Sequence, residues 1–400
     1  MINFKHLAKK YNTPLYIYDF NEIEKNYTSL KDAFKARKSL ICYAVKANSN
    51  LSVLKKLSQL GSGADCVSIG EVKRALKAGI PKYKIIFSGV GKRDDEIEEA
   101  ILRDILMINL ESEAEFDRIE LIAAKLNLTA RISIRVNPNI DAKTHPYIST
   151  GLNENKFGVD IDSAKQLYIR AKNSKYIDPV GIHFHIGSQL TDLKPIADSA
   201  EIVAKLLKSL KVLDIDIKFF DVGGGIGIQY DDEDTIRLYD YAQSIFASLK
   251  GLDITVVCEP GRYIVGNSGY FLTSVLYEKE NNSKRFVVVD GGMNDLIRPS
   301  LYKAYHKVEA VEAEGEVSRC DVVGPVCESG DFFAKDIELP KLKHGDLLVV
   351  KSAGAYCFTM SSNYNSRGRA CEVAIEDGID RKIRARESFE DLIRLEREYL

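Results

Sequence analysis

From Ser39 to Gly261 the sequence repeats one two-part unit, a short apolar or β-branched run followed by an amphipathic segment of helical period. The runs predict eight strands, at residues 40–45, 64–68, 84–88, 106–109, 130–136, 180–186, 218–222 and 254–258. Seven helices are predicted between them, at residues 51–60, 71–78, 94–102, 112–126, 163–172, 196–211 and 234–249. This alternation favours a parallel (β/α)8 barrel of the TIM type, although a doubly wound open sheet gives a similar pattern.

The pattern changes after Gly261, where strand-like runs separated by turns replace the helical period. These runs lie at residues 270–277, 285–290, 304–311, 317–323 and 346–351, and helical period returns only at 388–400. Residues 13–19 also alternate like a strand, and we expect them to cross over and pair with the C-terminal sheet. The sequence therefore predicts a barrel domain at 22–265 and a β-rich sandwich or barrel domain at 1–21 and 266–400. A polar segment with two prolines, 137–157, is predicted to be a loop over one barrel end.

Charge and cysteine content exclude several classes of function. With 56 Lys+Arg against 58 Asp+Glu, the net charge of −2 gives no drive towards nucleic acid or anionic membranes. No run reaches the roughly 20 apolar residues of a membrane helix, and residues 1–11 lack the apolar core of a signal peptide, so we expect a cytoplasmic protein. The 7 cysteines are scattered without a CxxC pair, which argues against a disulfide framework or a structural zinc site.

Polar residues follow the predicted strands at their C-terminal ends, where barrels of this kind build their active sites. They are Lys46, Asn48, Asp65, Ser88, Arg135, Asn137, His183, His185, Ser188, Asp221, Gly223, Gly224, Gly225, Glu259, Pro260, Gly261 and Arg262. Side chains from different strands that meet at one end of a barrel share a ligand. We therefore expect this set to converge on one small molecule.

Two of these features suggest the ligand's chemistry, and each has a simpler explanation. Lys46 at the tip of a buried strand would have a lowered pKa and react with an aldehyde, but a lysine here could also extend to solvent. The run of three glycines after the seventh strand could let backbone N–H groups bind a phosphate, although a tight turn also requires glycine. Gly261 and Arg262 follow the eighth strand, and the loops after strands seven and eight frequently form the phosphate site of a barrel.

His183, His185 and Glu259 also admit more than one interpretation. The two histidines are two apart on a predicted strand and would face the same side, so they could ligate zinc, but a strand-end imidazole can equally stack on a planar cofactor. No further metal ligands stand at a persuasive spacing, and we predict no metal. Glu259 could keep a pyridine nitrogen protonated, which turns the ring into an electron sink, or could simply cap the following turn.

Six ordered motifs resemble the alanine-racemase-like, fold-type III decarboxylases that use pyridoxal phosphate. They are residues 42–48 (CYAVKAN), 185–189 (HIGSQ), 223–227 (GGGIG), 259–262 (EPGR), 325–331 (PVCESGD) and 354–356 (GAY). Within that group, residues 141–151 (DAKTHPYISTG), 155–158 (NKFG) and 360–365 (MSSNYN) are similar to the diaminopimelate decarboxylase family of bacterial lysine synthesis. One departure is residues 366–369 (SRGR), where the family often has Ser-Arg-Pro-Arg, and it affects only a turn.

The resemblance implies the roles of the site residues. Lys46 would hold pyridoxal 5'-phosphate covalently, His185 would stack on its ring, and Glu259 would pair with the pyridine nitrogen. The phosphate would be surrounded by Gly225, Ser188, Gly261 and Tyr356, and the complete cofactor set adds Asp65, Arg135, Gly223, Gly224, Pro260 and Arg262. Substrate contacts carry over to Arg262, Arg298, Tyr302, Cys327, Glu328 and Tyr356. Two arginines suit a substrate that keeps a second carboxylate, and Glu328 suits its distant amine.

The expected reaction is the decarboxylation of meso-2,6-diaminopimelate to L-lysine and CO₂. The resemblance places Cys327 in a loop from the neighbouring subunit, so we expect a homodimer with shared active sites and Cys327 as the proton donor; a thiol that only packs or sets specificity is the alternative. Three rival functions remain open: decarboxylation of carboxynorspermidine, arginine or ornithine, an alanine-racemase-like isomerase, and a non-catalytic carrier of the cofactor. Arg298 opposes the first, Glu259 the second, and the long β-rich domain the third.

Overall fold

The computed structural model describes residues 2–141, 156–282 and 284–400. The chain divides into two compact units. The first, which we call the barrel unit, comprises Glu24–Ile228 and Asp234–Ile264. The second, the sheet unit, comprises Met1–Ile23, Gln229–Glu233 and Val265–Leu400. Except for Asp141, the motif at 141–151 lies outside the described residues, as does most of the predicted loop at 137–157.

Eight parallel strands close a barrel, which confirms the predicted fold class and excludes the open sheet. The elements before it are α1 (Phe4–Tyr11), β1 (Leu15–Asp19) and α2 (Phe20–Ala33). The barrel strands are β2 (Ser39–Ala44), β3 (Gly63–Cys66), β4 (Ile85–Phe87), β5 (Met107–Leu110), β6 (Ala130–Arg135), β7 (Ile177–His183), β8 (Phe219–Asp221) and β9 (Thr255–Cys258). Pairing of β2 with β9, in which Ile41 lies opposite Cys258, closes the ring. Each strand lies within three residues of its predicted bounds.

Helices connect successive barrel strands. They are α3 (Leu51–Gln59), α4 (Ile69–Lys77), α5 (Asp94–Leu102), α6 (Glu113–Leu126), α7 (Ile161–Asn173), α8 (Lys194–Val212) and α9 (Leu238–Ser248). Several begin where a short polar side chain accepts a hydrogen bond from an otherwise unpaired backbone N–H. Asn50 caps α3 in this way, Ser68 caps α4 and Ser112 caps α6. None of the helices described is long and apolar enough to cross a membrane.

The sheet unit contains one mixed sheet of nine strands. The short helix α10 (Arg262–Val265) follows β9, and all but its last residue belong to the barrel unit. The further elements of the sheet unit are β10 (Gly269–Asn281), β11 (Lys284–Val289), α11 (Arg298–Tyr302), β12 (Val308–Ala310), β13 (Val317–Val323), β14 (Phe332–Pro340), β15 (Leu347–Val350), β16 (Cys371–Glu376), β17 (Ile379–Arg384) and α12 (Phe389–Ile393). Strand β1 pairs antiparallel with β10 and parallel with β16. The expected pairing of residues 13–19 with the C-terminal sheet is thereby confirmed.

Two predictions of secondary structure were wrong in extent. Residues 388–400 form only the short helix α12 and one 3-10 turn, Arg397–Tyr399, because few of their apolar side chains find a buried surface to pack against. The strand expected at 304–311 is reduced to β12, since Lys303 adopts a left-handed conformation that ends α11 and redirects the chain. Helices α1 and α2 and strands β14, β16 and β17 were not predicted.

The interior of the barrel is tightly packed around one glycine. Cys42, Ile86, Met107, Val180 and Val257 belong to a buried cluster contributed by five different strands. Gly181 lies beside it on β7, and a Cβ atom there would come within 2.8 Å of the Met107 sulfur and 2.9 Å of the Ser133 Cβ. The glycine is therefore required because neighbouring side chains fill the space of a methyl group.

Replacing this glycine should destabilise the barrel. We expect Gly181→Ala to lower the free energy of unfolding by about 1–3 kcal/mol, the usual effect of adding a methyl group to a filled core. Gly91→Ala is the matched control, because nothing lies within 4 Å of a Cβ built at Gly91; its effect should stay within about 0.5 kcal/mol. Urea unfolding of the cofactor-free proteins measures both, and equal stabilities would contradict the packing argument.

Candidate active site

Lys46 lies in a single 3-10 turn, Val45–Ala47, directly after β2. Its Nζ is 3.1 Å from Oδ2 of Asp65, which lies on β3 and is fully buried. Burial and the charge of Glu259 raise the pKa of Asp65, and the nearby Lys46 opposes that rise. The amine is therefore held beside a buried acid rather than extended into solvent. Because the side chain of Lys46 is 38% exposed, the amine also remains accessible to a ligand.

His185 lies just beyond the end of β7, and its imidazole accepts a hydrogen bond at Nδ1 from the Gly224 N–H, at 3.2 Å. Burial, reinforced by the positive charges of Arg135 and Lys46, lowers the pKa of His185 well below its usual value. The imidazole is therefore neutral, with its hydrogen on Nε2. A neutral, buried ring of this kind suits stacking on an aromatic ligand.

His183, Asp221 and Glu259 form a separate buried cluster, with ligand atoms within 4.8 Å of one another. Burial and the charge of Glu259 raise the pKa of Asp221 well above its ordinary value. Burial alone would raise the pKa of Glu259, but the adjacent His183 and Lys46 lower it instead. One carboxyl group therefore keeps a proton while the other stays ionised.

The expectation that both histidines lie on one strand was wrong. Strand β7 ends at His183, so the alternation of a strand does not extend to His185, and the two imidazoles have different partners. The Nε2 of His183 is 3.4 Å from Oε2 of Glu259. The group of described residues that could hold a metal ion joins His183 to two carboxylates and does not include His185.

The glycine run after β8 has the close backbone contacts of a tight turn, and its binding of a phosphate stays a prediction. A Cβ at Gly224 would lie 2.1 Å from the Glu259 carbonyl oxygen, and one at Gly225, whose φ is +102°, would lie 2.4 Å from that of Gly187. The turn therefore needs glycine for close backbone packing. In the described part of the chain, the N–H groups of Gly225 and Ile226 have no hydrogen-bond partner, which leaves two donors for an anion.

Arg262 is buried at the start of α10, and its Nη2 donates to Ser188 Oγ at 3.0 Å. Ser188 and Arg262 come from the loops after β7 and β9, so the barrel brings together two predicted ligands that are 74 positions apart. The carbonyl of Pro260 accepts a bond from the Ala44 N–H, at 3.0 Å, which ties the segment before Gly261 to the end of β2.

Arg135 has a protein partner that the sequence did not reveal. Its Nη1 donates to both carboxylate oxygens of Glu111, at 2.9 and 3.1 Å, and its Nη2 donates to the His185 carbonyl, at 3.2 Å. Glu111 follows β5 directly, and its position after a strand was the available signal. In this structure Arg135 supports the backbone of His185, and its contact with a cofactor stays a prediction.

The other predicted residues belong to the sheet unit. Arg298 is buried at the start of α11, Tyr302 ends that helix, and Tyr356 adopts a left-handed conformation with φ +59°. The thiol-bearing Cys327 is exposed, and its backbone N–H donates to Asn365 Oδ1, at 3.1 Å. The next residue, Glu328, donates its N–H to the Val326 carbonyl, at 2.8 Å. Their roles towards substrate stay predictions.

The barrel residues fit pyridoxal phosphate. Lys46 offers an amine for an aldehyde, and the unpaired N–H groups of Gly225 and Ile226 offer donors for a phosphate. Oε1 of Glu259 is buried without a hydrogen-bond partner in the described structure, as expected of an oxygen reserved for a ring nitrogen. Buried polar atoms are rarely left unpaired without a reason.

Comparisons with known proteins agree with this chemistry. Residues 20–266 match the family model described as pyridoxal-dependent decarboxylase, pyridoxal binding domain. Diaminopimelate decarboxylase of Campylobacter jejuni is 62% identical over 400 residues, which cover 100% of both chains. The enzyme of that name from Helicobacter pylori strain J99 is 59% identical over 402 residues, covering 100% of this chain and 99% of the relative. The chain belongs to the diaminopimelate decarboxylase family.

A solved structure of a family member extends the likeness to three dimensions. The crystal structure of Helicobacter pylori diaminopimelate decarboxylase complexed with L-lysine superposes with a TM-score of 0.97, at 58% identity, and covers 100% of both chains. Membership of this family of pyridoxal-dependent decarboxylases confirms the predicted family, the enzymatic function and the cofactor class. The family resemblance did not identify Asp221 and Glu111 as site residues, but Asp221 ends β8 and Glu111 directly follows β5, and these positions at strand ends were the available signal.

The neutral state of His185 should make stability depend on pH. Below about pH 6.5 the unfolded chain binds a proton at this imidazole that the folded protein excludes, so stability falls as the pH falls. Between pH 7.5 and 5.5 we expect wild type to lose about 1.4 kcal/mol more unfolding free energy than His185→Gln. Urea unfolding of the cofactor-free proteins measures the difference, and parallel pH profiles would contradict a neutral His185.

Proposed function

We infer that this protein decarboxylates meso-2,6-diaminopimelate to L-lysine and CO₂ with pyridoxal 5'-phosphate. The observation that carries the inference is that two groups occur in one barrel: an accessible Lys46 amine, and a buried Glu259 carboxylate oxygen that has no partner among the described residues. These are the two contacts that a pyridine aldehyde needs. Full-length identity of 62% to a diaminopimelate decarboxylase supports the choice of substrate.

The cofactor, when bound, supplies a protonated ring that accepts the electrons left behind as CO₂ departs. The protein's own residues make that possible. Ionised Glu259 holds the proton on the ring nitrogen, and Asp221 keeps the neighbouring negative charge low because it remains protonated. Neutral His185 packs without adding charge, and the N–H groups of Gly225 and Ile226 bind phosphate, with Ser188 and Arg262 beside them.

Substrate selection rests on charge. Diaminopimelate keeps one carboxylate after the other has left, and a guanidinium is the side chain that best matches a carboxylate. We assign that contact to Arg298, with Arg262 as the second cation and Glu328 as the acceptor for the distant amine. Tyr302 and Tyr356 complete the contacts. A substrate that becomes a simple diamine would require acids in place of these arginines.

Cys327 is proposed as the proton donor to the carbon that loses CO₂. Residues 1–21 and 266–400 are proposed as the domain that completes the substrate site across a homodimer. The exposed position of Cys327 supports both, because the thiol is free to meet another surface. A thiol that carries its proton can act as a general acid. A cytoplasmic location remains a prediction.

The substrate assignment predicts the result of a direct comparison. The purified protein with pyridoxal phosphate should release CO₂ from meso-diaminopimelate and form lysine, and should not act on L-ornithine, L-arginine or carboxynorspermidine. Lys46→Ala should lose both the visible absorbance of the bound cofactor and activity, because it lacks the reactive amine. Release of CO₂ from another amino acid alone would overturn the assignment of Arg298; a coloured and active Lys46→Ala would overturn that of Lys46.

The shared active site predicts complementation between two inactive variants. Cys327→Ala should lower kcat by about a hundredfold, the usual loss when a positioned proton donor is removed. Mixed with Lys46→Ala under conditions of subunit exchange, it should recover about a quarter of wild-type activity, because half of the dimers are hybrids with one intact site. Full turnover by Cys327→Ala would exclude the donor role, and sedimentation showing an active monomer would exclude the shared site.

A further inference from the structure

Arg298 is a buried cation surrounded by neutral groups. Its Nε donates to His306 Nε2, at 3.2 Å, and its Nη2 lies 3.2 Å from the Tyr230 hydroxyl. The rings of Tyr230 and Tyr302 lie 5.5 and 5.9 Å from the guanidinium carbon. Among the residues that the structure describes, no acidic side chain lies within ion-pair distance of Arg298. A buried charge without a counter-ion is unfavourable, and it implies that an anionic ligand supplies the missing charge.

The hydrogen bonds of His306 define its protonation state. Its Nδ1 lies 2.9 Å from the carbonyl oxygen of Lys351, and a carbonyl can only accept, so Nδ1 carries the hydrogen. Its Nε2 accepts the hydrogen bond from Arg298, so Nε2 carries no hydrogen. The imidazole is therefore neutral. It offers the guanidinium an acceptor and leaves its positive charge intact.

His306 is also held rigidly. It is 2% exposed, and its neighbour Lys307 accepts a backbone hydrogen bond from Lys351, at 2.9 Å, where β12 and β15 begin to pair. Two bonds from consecutive residues to Lys351 thus fix the imidazole against the sheet. Because Nε of Arg298 is bound to this imidazole, the guanidinium cannot rotate freely about its last bond.

The outer edge of the guanidinium consists of Nη1 and Nη2. Nη1 of Arg298 has no acceptor in the described ranges of the chain, and the hydrogen bond from Arg298 to the Tyr230 hydroxyl comes from Nη2. Two nitrogens on one edge can bind both oxygens of a carboxylate, an arrangement that requires a fixed orientation of the plane. The orientation that His306 imposes leaves this edge for a ligand.

We propose that His306 is a positioning residue that orients Arg298 for the substrate carboxylate that survives decarboxylation, and that it does so without neutralising the guanidinium. The proposal rests on the proposed function, in which Arg298 binds that carboxylate. An acid at position 306 would orient Arg298 equally well but would satisfy its charge. A neutral acceptor at position 306 therefore leaves Arg298 charged, so that Arg298 selects substrates that carry a carboxylate at the end remote from the reacting carbon.

Three variants separate orientation from charge. His306→Gln keeps a neutral acceptor, His306→Phe keeps the ring but removes the acceptor, and His306→Glu keeps an acceptor but adds a negative charge. Each holoenzyme is titrated with L-lysine, which carries the carboxylate, and with 1,5-diaminopentane, which has the same chain without it. The visible absorbance of the bound cofactor and the melting temperature show that each variant is folded and loaded.

We expect the dissociation constant of L-lysine to rise roughly tenfold or more in His306→Phe and His306→Glu and to stay within about threefold of wild type in His306→Gln. Binding of 1,5-diaminopentane should change by less than about threefold in all three. The KM for diaminopimelate should follow lysine binding while kcat changes little, since the carboxylate contact is present before and during the reaction.

The outcomes are distinct. Equal lysine binding in all four proteins, equal losses for lysine and the diamine, or a Gln variant as impaired as the Phe variant would each overturn the role of His306. Wild-type protein that releases no CO₂ from diaminopimelate would instead overturn the proposed function. Lysine titration does not depend on turnover, so it decides the role of His306 in either case.

Discussion

Closure of the barrel is the constraint on which the cofactor site depends. The backbone bonds between β2 and β9 bring the first and last strands of the ring together, and with them the Lys46 turn and the Glu259 segment. The Ala44 N–H even bonds to the Pro260 carbonyl, beyond the paired region. Residues more than 200 positions apart in sequence are thereby held in one small volume by main-chain geometry, before any side chain contributes. Chemistry at this end of the barrel is a consequence of strand pairing.

Some buried charged groups in this protein are neutralised by a partner or a proton, and others are not. Arg135 is buried against Glu111, whose two carboxylate oxygens satisfy its charge, and it also donates a hydrogen bond to the His185 carbonyl. Arg298 is equally buried but has only neutral neighbours in the described structure. The same contrast separates Asp221, which keeps its proton, from Glu259, which loses it. In each pair the charge of one group is neutralised within the protein and the other group keeps its charge, which is typical of a functional site.

The sequence predicts features that depend on local patterns and misses those that depend on contacts between distant residues. Barrel strands are continuous buried runs, so all eight were found, and the alternation of residues 13–19 revealed β1. Strand β17 carries exposed charged residues and was missed, and so was β16, whose Glu372 is charged but buried. Helix α2 was missed although Phe20, Ile23, Tyr27 and Leu30 recur at helical spacing and are all buried. Motifs pointed to Lys46, His185 and Glu259. The partnership of Arg135 with Glu111, and that of Arg298 with His306, depends on tertiary placement that no spacing encodes.

Strand β1 has a consequence for how the protein is made. It lies between β10 and β16, yet β10 begins 250 residues after β1 ends. On the ribosome β1 emerges early, and both of its neighbours emerge only after the whole barrel has been synthesised. Both edges of this central strand therefore stay unpaired while the barrel forms, and the sheet assembles late and slowly. During that time chaperones or other nascent chains can bind β1.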